Sequence, residues 1–379
     1  MNAAPYRLRL PGPTAVPARV RRAMSAPTIS HRGPEFRELL AACSEGLKPI
    51  LGTSGAPLFF ASSGTGLMEA GLVNVVGPDR RALILSNGQF GERFAAIAAA
   101  HGLAVDLLED PWGCAPDPDA LAACLAGQDY AAVLAVHNES ATGAVADLAA
   151  LGRVVGETGA LFIVDSVSGL GGLPMRQDDW GVDVLISASQ KALMCPPGLA
   201  LASLSDKAWA ALEAAPRRPV FFSDFLKARD SAAKGQTPFT PALPQLEALR
   251  EALAMMHEEG LDAVLARHRR CAAALRAGGE AFGLGRFPTS PLISDTVVVF
   301  ALPDGLEGGA IVKAFYERFG TVIAGARNKL DGRVIRFGTM GHIREQDILQ
   351  DLEELAIVLN ASGHEADPAA GLEAATVLL

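Results

Sequence analysis

Two side chains that could share one chemical task stand at the ends of neighbouring apolar segments. Lys191 follows the apolar run Val182–Ala188, and it is the one charged residue between Asp183 and Asp206. A lysine held away from water has a lowered pKa, as an amine that condenses with a carbonyl group requires. Asp165 ends the preceding apolar run. Its carboxylate either caps the next turn or meets a ligand in the crevice at the end of a parallel strand.

A run of small residues, Ala61–Gly66, joins an apolar strand to a helix. Within it, Ser63, Gly64 and Thr65 leave backbone N–H groups and hydroxyls free to close around a phosphate at the positive end of the helix. The run lacks the lysine of a P-loop and the order of a dinucleotide-binding loop. A plain tight turn is therefore the alternative interpretation.

Three further residues complete the candidate site. Phe90 follows another strand, where it either stacks on a flat heterocycle or fills the core. Ser140 lies in the polar segment His137–Gly143 after an apolar strand. Arg336 lies inside the apolar strand Val334–Phe337 and needs an anionic partner. That partner is either a substrate carboxylate held by two hydrogen bonds or a carboxylate of the protein itself.

Short apolar runs alternate with longer helical patterns, which predicts an α/β fold with a mainly parallel sheet. The predicted strands of this sheet are Leu58–Ser62, Arg81–Ser86, Val105–Glu109, Ala131–His137, Leu161–Ser166, Val182–Ala188 and Leu199–Leu204. The helices predicted between them include Gly66–Val76, Gly91–Ala100 and Asp147–Thr158.

The second part of the chain has a different pattern. Arg217–Pro244, with its prolines and paired aromatics, predicts a long ordered excursion, and one long helix is predicted from Leu243 to His268. A β-α-β-β-α pattern then runs over Asp295–Ala301, Leu306–Phe319, Thr321–Gly325, Val334–Thr339 and Glu345–Leu359. We predict a large domain over 1–250 whose N-terminal segment lies near the active site, a smaller α+β domain over 251–362, and a loosely held tail over 363–379.

Composition and charge limit the partners. The 379 residues carry 33 Lys and Arg against 42 Asp and Glu, a formal charge of −9, so neither nucleic acid nor an anionic membrane is expected as a partner. The five cysteines are scattered without zinc-type spacing, so no metal site is predicted and reduced thiols in the cytoplasm are expected. Prolines interrupt the N-terminal segment before an apolar run develops, and no apolar stretch reaches the length of a membrane span.

Taken together, the motifs resemble the class V, fold-type I aminotransferases, in particular the serine/alanine–glyoxylate (serine–pyruvate) group and its bacterial aspartate- and phosphoserine-like relatives. The resemblance covers nearly the whole chain up to about Leu359. The segments that carry it are LPGPT (10–14), SHRGPEF (30–36), SSGTG (62–66), NGQFGER (87–93), HNESATG (137–143), LFIVDSVSG (161–169), SASQKALMCPPG (187–198), TPFTPALPQLEALREAL (237–253) and VIRFGTMGH (334–342).

The resemblance implies a seven-stranded, mainly parallel sheet in the large domain and pyridoxal 5'-phosphate as the cofactor. It implies that Lys191 forms the Schiff base and shuttles the proton, and that Asp165 pairs with the pyridinium nitrogen. It also implies a homodimer in which Thr237 and Thr240 reach the phosphate bound by the partner subunit. The remaining implied roles are phosphate binding by Ser63, Gly64, Thr65 and Gln190, ring stacking by Phe90, contact with the ring hydroxyl by Ser140 and capture of the substrate carboxylate by Arg336.

The implied reaction is transamination between a small amino acid, serine or alanine, and a 2-oxo acid, glyoxylate or pyruvate. Arg327, His31 and Arg32 keep an alternative open, because a distal anion site made of them would suit aspartate or phosphoserine. A lyase of the cysteine desulfurase type needs a reactive cysteine shortly before the carboxylate-binding arginine, and Thr321–Arg333 contains none. A dinucleotide-dependent dehydrogenase, suggested by Gly169–Gly172, lacks the apolar-faced helix that its motif requires. A binding protein without activity is disfavoured because Lys191, Asp165 and Arg336 occur together.

Overall fold

The computed structural model describes residues 6–216 and 218–379. Its strands are β1 (Arg7–Leu8), β2 (Leu58–Phe60), β3 (Arg81–Ser86), β4 (Ala104–Glu109), β5 (Ala132–Val136), β6 (Asn138–Glu139), β7 (Ala144–Val145), β8 (Leu161–Asp165), β9 (Val184–Ala188), β10 (Ala200–Leu204), β11 (Gly285–Arg286), β12 (Val297–Ala301), β13 (Thr321–Val322) and β14 (Val334–Gly338). Its α-helices are α1 (Ala18–Ala23), α2 (Pro34–Leu51), α3 (Gly64–Val75), α4 (Gln89–Ala100), α5 (Pro118–Gly127), α6 (Leu148–Gly156), α7 (Asp206–Ala214), α8 (Phe225–Ala232), α9 (Leu243–Glu259), α10 (Leu261–Ala281), α11 (Gly308–Phe319), α12 (Glu345–Ala361) and α13 (Pro368–Thr376).

The largest sheet has the strand order β2-β10-β9-β8-β5-β3-β4. The five strands from β9 to β4 run parallel to their neighbours, and β10 runs antiparallel to both β9 and β2. Consequently β2 points in the same direction as the five parallel strands. The predicted α/β fold with a seven-stranded, mainly parallel sheet is confirmed.

Helices cover both faces of this sheet, as its continuously apolar strands predict. Side chains alternate along each strand: in β8, Phe162 and Val164 enter one core, and Leu161 and Ile163 enter the other. The first core also contains buried residues of α2, α6 and α9, and the second contains buried residues of α3, α4 and α7. With both faces covered, the crevice beyond the carboxyl ends of the parallel strands is the natural place for a ligand.

A second sheet, in the order β11-β12-β14, is antiparallel throughout. Its apolar side chains share a core with α10, α11, α12 and α13. Strand β1 pairs in parallel with β13, so the N-terminal strand joins this second part of the molecule and not the large sheet. The domain boundaries at 250 and 362 stay a prediction.

The single helix predicted from Leu243 to His268 is wrong. The structure has two helices, α9 and α10, which meet at Gly260. The backbone of Gly260 has φ 87° and ψ 131°, a conformation that is open to glycine and costly for other residues. Because the apolar pattern continues across the break, periodicity alone predicted one continuous helix.

The expectation of a loosely held tail over 363–379 is also corrected by the structure. Helix α13 begins after Asp367, whose carboxylate accepts a hydrogen bond from the N–H of Ala369, and it packs on α10 and α12. Small residues permit this packing, because a side chain at Gly371 would collide with the ring of Phe282. The high alanine and glycine content of this segment had suggested a weakly ordered tail. In the structure, these small residues let α13 pack closely on α10 and α12.

The predicted excursion begins at Arg217, which lies outside the described residues, and it contains α8. Two aromatic side chains of this segment are strongly exposed: Phe221 at 75% and Phe222 at 49% of their surface. Both rings lie against Phe239, at centroid distances of 5.6 Å and 5.4 Å. Within residues 6–216 and 218–379, no helix is both long and apolar enough to cross a membrane.

Candidate active site

The loops that follow β2, β3, β5, β8 and β9 all leave the same edge of the large sheet, because these strands point the same way. They carry Ser63, Phe90, Ser140, Asp165 and Lys191 to this edge. A cavity of about 400 Å³ opens there. Its lining includes Lys191, Phe90, Ser140, Arg327 and Arg336.

The Lys191 amine and the Asp165 carboxylate interact electrostatically at this edge. Burial raises the pKa of Asp165 to about 6, and this rise is limited by a 2.8 Å hydrogen bond from the N–H of Val167 and by the charges of Arg93 and Lys191. Burial lowers the pKa of Lys191 to about 8, while the charge of Asp165 acts in the opposite direction. Near neutral pH the carboxylate is therefore mostly ionised, and a fraction of the amine is neutral.

The loop after β2 forms the N-terminus of α3. Ser63 is the N-cap residue, and its hydroxyl accepts a 3.3 Å hydrogen bond from the N–H of Gly66. Gly64 packs against Val167, and a side chain at position 64 would lie 2.6 Å from a methyl group of that valine. The hydroxyl of Thr65 accepts a 3.0 Å hydrogen bond from Arg93. The first N–H groups of a helix have no partners within the helix, so this loop presents free donors.

Arg93 and Glu139 are two residues of the site that the sequence interpretation missed. The guanidinium carbon of Arg93 lies 4.4 Å from the centroid of the Phe90 ring, one turn earlier on α4. Fully buried Glu139 accepts hydrogen bonds from the N–H groups of Phe90 (2.8 Å) and Ala141 (3.1 Å), and burial raises its pKa to about 7. The i, i+3 spacing of Phe90 and Arg93 could have indicated the first contact.

Arg336 is held by main-chain carbonyl groups. Its Nε and Nη2 donate to the carbonyl of Gly325 at 2.8 Å and 2.6 Å, and its Nη1 donates to the carbonyl of Ser140 at 2.8 Å. Among the described residues, its hydrogen-bond partners are these carbonyls and not a carboxylate. A guanidinium has five N–H donors, so two remain for an anion in the cavity.

The other predicted residues lie in different places. Arg327 lines the cavity with Arg336. Arg32 instead donates to the side chain of Gln236 at 2.7 Å and to the carbonyl of Thr237 at 3.0 Å. The hydroxyl of Thr237 donates to the carbonyl of Phe239 at 2.7 Å.

Neither His31 nor Arg32 lines the Lys191 cavity, so one chain does not bring Arg327, His31 and Arg32 together as a distal anion site. Thr237 and Thr240 line a separate cavity beside Phe59 and Phe60. Their predicted role in a partner subunit therefore stays a prediction. Gln190 precedes Lys191, and its carbonyl accepts a 3.1 Å hydrogen bond from the N–H of Thr14.

Comparison with known proteins identifies the family of the chain. The family model "Aminotransferase class-V" matches residues 18–323. The chain is 39% identical to the soluble hydrogenase small subunit of a Synechococcus species, with 98% of each chain covered. It is 35% identical to the L-aspartate–glyoxylate aminotransferase of Paracoccus denitrificans (97% and 94% covered) and 35% identical to the serine–glyoxylate aminotransferase of Methylorubrum extorquens (98% and 95% covered).

The fold agrees as well. The crystal structure of the ureidoglycine–glyoxylate aminotransferase of Bacillus subtilis superposes with a TM-score of 0.93 at 30% identity, covering 100% of this chain and 98% of that one. The chain belongs to the class-V aminotransferase family, and its fold is that of the fold-type I aminotransferases. It is an enzyme that catalyses transamination, and the family predicted from its motifs is confirmed.

Replacing Asp165 with asparagine is expected to lower the pKa of Lys191 further, because the carboxylate is the neighbouring charge that favours the ammonium form. The pH dependence of Lys191 acetylation in the ligand-free protein, followed by peptide mass spectrometry, measures this pKa. Asp179→Asn, which neutralises an exposed carboxylate, serves as the control. A midpoint for Lys191 that rises or stays unchanged in Asp165→Asn would contradict the electrostatic pairing.

Proposed function

We propose that this aminotransferase binds pyridoxal 5'-phosphate through Lys191 and transfers an amino group between serine or alanine and glyoxylate or pyruvate. The observation that carries the proposal is one cavity that contains Lys191, Phe90 and Arg336, with the buried carboxylate of Asp165 acting on the amine. These are the groups that an amine-binding carbonyl cofactor and an amino acid substrate both require.

The residues at the sheet edge fit this cofactor. The N–H groups of Gly64 and Thr65 open α3, where a phosphate is favoured by free donors and by the helix dipole. The side-chain oxygen of Gln190 is buried and has no hydrogen-bond partner among the described residues, so it can accept a hydrogen bond from a donor group of a ligand. Phe90 offers a ring face in the cavity for a flat heterocycle.

The bound cofactor supplies an electron sink for the negative charge that develops at the substrate Cα. Ionised Asp165 stabilises the protonated form of the ring nitrogen. Lys191 acts as the general base and acid: its neutral amine takes the Cα proton and returns it, and a pKa of about 8 suits this exchange near neutral pH. Three N–H groups of Arg336 donate to the carbonyls of Gly325 and Ser140, and its two remaining N–H groups bind the α-carboxylate of the substrate. This contact orients the Cα–H bond.

Small residues at the cavity support a small donor. Gly12, Ala324, Gly325 and Ala326 line it together with the cofactor-binding residues, and the whole volume is about 400 Å³. Serine and alanine suit such a space. The serine–glyoxylate aminotransferase among the relatives supports the same choice.

Aspartate is a second candidate donor, and one observation favours it. Arg327 lines the cavity that Arg336 lines, so a second guanidinium stands where the distal carboxylate of a dicarboxylic amino acid could bind. The Paracoccus denitrificans relative is an L-aspartate–glyoxylate aminotransferase. Phosphoserine would present an anion in the same place.

We further propose that the enzyme is a homodimer. The exposed ring of Phe222 lines a cavity with Thr237 and Thr240, the residues predicted to reach the partner subunit, and the exposed ring of Phe221 lies against Phe239 of the same cavity. Aromatic side chains exposed to this extent are typical of surfaces that are covered by another protein.

The five cysteines carry free thiols, which supports the proposal of a cytoplasmic enzyme.

The Lys191→Ala variant is expected to lose the half-reaction with amino donors by about 1000-fold or more, because the general base is removed. Purified wild-type protein should be yellow with added pyridoxal phosphate, and borohydride should fix the cofactor to the peptide that contains Lys191. Lys313→Ala, which removes an exposed lysine, should behave like the wild type. A colourless wild-type protein with no visible absorption band would overturn the assignment.

Half-reactions with alanine, serine, aspartate and phosphoserine distinguish the candidate donors. If an acidic donor is used, Arg327→Ala should weaken its reaction about 10- to 100-fold relative to alanine, the effect of losing a hydrogen bond to a charged group. Lys329→Ala removes a nearby cation that is paired with Glu92, and it should leave the preference unchanged. An acidic preference that survives Arg327→Ala would exclude the distal role of this arginine.

Phe222→Asp is expected to shift the protein towards monomers, because it places a charge in the proposed subunit interface. Sedimentation velocity over a range of concentrations measures the shift. Tyr316→Asp alters another aromatic side chain, 55% exposed on α11, and should leave the dimer intact. A wild-type protein that sediments as a monomer at all concentrations would refute the proposed dimer.

A further inference from the structure

The segment Arg9–Thr14, here called the N-terminal strap, connects the second part of the molecule to the lysine loop. At its start, the N–H of Arg9 donates to the carbonyl of Val322 at 2.9 Å, continuing the pairing of β1 with β13. The carbonyl of Arg9 accepts a 2.6 Å hydrogen bond from the N–H of Gly338, at the end of β14. The strap therefore starts from the framework of β13 and β14.

A buried ion pair fixes this end of the strap. The guanidinium of Arg9 approaches both carboxylate oxygens of Asp351 on α12, with Nε at 3.0 Å and 2.7 Å and Nη2 at 2.6 Å. The side chains are 6% and 0% exposed. Arg7 adds contacts to Asp351 at 2.8 Å and to Glu354 at 3.1 Å. Loss of one partner would leave a buried charge without compensation, so the pair is coupled to the position of the strap.

The other end of the strap contacts the reactive lysine directly. The amine of Lys191 donates a hydrogen bond to the carbonyl of Pro11. The hydroxyl of Thr14 donates to the main-chain carbonyl of Lys191 at 2.9 Å. Gly12 lies against the side chain of Lys191, so closely that a Cβ atom at position 12 would collide with the Cδ, Cε and Nζ atoms. The φ of Gly12 is +108°, which other residues rarely adopt.

We propose that the N-terminal strap is a positioning element for Lys191: Asp351 fixes the strap through Arg9, the Pro11 carbonyl holds the amine, and Gly12 leaves it room to move. The proposal rests on the proposed role of Lys191 as the base of the reaction. None of these strap residues, and neither member of the ion pair, reacts with substrate. Their contribution is the geometry of the amine.

The position of Arg336 explains why the strap would matter for the reaction. Arg336 lies two residues before Gly338 on β14, and Gly338 holds the strap. The same framework thus carries the anchor for the substrate carboxylate and the acceptor for the amine. Lys191 must reach the Cα–H bond of a substrate whose carboxylate is bound by Arg336. Because β14 positions both Arg336 and the strap, it fixes the distance between the amine and this bond. A misplacement of about 1 Å costs on the order of 100-fold in rate.

The test compares Asp351→Asn and Gly12→Ala with the wild type in the full-length protein. Without cofactor, Lys191 should be acetylated several-fold faster in both variants, because Asp351→Asn releases the strap and the added methyl group of Gly12→Ala displaces the amine from the Pro11 carbonyl. With pyridoxal phosphate, the single-turnover half-reaction should slow by about 10- to 100-fold in both variants, and in Asp351→Asn the dissociation constant of the amino donor should stay within twofold. Cα-deuterated donor should show a larger isotope effect than with the wild type, because proton transfer becomes more limiting.

Two further variants separate positioning from general loss of stability. Arg276→Met breaks another partly buried ion pair in the same part of the molecule, with Asp295, and should change neither the labelling nor the isotope effect. The double variant Arg9→Met/Asp351→Leu replaces the buried pair with apolar side chains and should return both readouts towards the wild type.

The proposal is overturned if Asp351→Asn and Gly12→Ala both label Lys191 at the wild-type rate, or if Arg276→Met reproduces their effects. Should Asp351→Asn fail to fold, Gly12→Ala alone decides between these outcomes, because it leaves the ion pair intact. A wild-type protein without any half-reaction would instead refute the proposed function, and the labelling rates would still report on the strap.

Discussion

The site depends on an amine and a carboxylate that burial pushes in opposite directions. Removal from water disfavours the charged form of both Lys191 and Asp165, while each charge favours the other. Arg93 and Arg336 alter this balance, because their positive charges help to keep Asp165 ionised or the lysine neutral. The result is an acid that is mostly ionised near neutral pH beside an amine of which a fraction is neutral. The remaining elements keep these groups at fixed positions.

The parallel strands bring residues from five separate segments to one edge of the sheet. Buried Glu139 fixes two of these loops relative to each other. Its carboxyl group accepts hydrogen bonds from the N-terminus of α4 at Phe90 and from its own loop at Ala141. The side chain of Glu139 also fills the space beside Gly88, where a Cβ atom would clash with it. A single buried acid thereby joins the loop that carries the aromatic ring to the loop that carries Ser140.

The sequence predicted those parts of the molecule that local pattern and strand direction determine. Continuous apolar runs predicted the doubly covered sheet. Residue type after strands indicated Asp165 and Lys191, and an arginine inside an apolar strand indicated Arg336. Contacts between distant segments were not predictable in this way. The Arg9–Asp351 pair joins positions far apart in the chain, and nothing local to either residue indicates the other. The break at Gly260 was missed because the apolar pattern continues across it. The packing of α13 was misjudged because composition does not distinguish a small residue that loosens the chain from one that admits a close neighbour.

The pairing of β1 with β13 has a consequence for biosynthesis. A ribosome makes β1 well before it makes β13, the hydrogen-bonding partner of β1, and Asp351, the acid that pairs with Arg9. The large sheet and its covering helices can form earlier, since domains generally fold as units in the order of their synthesis. The contacts of the strap with Lys191 are therefore anchored only after α12 has been translated, and truncated products that lack α12 lack this anchor.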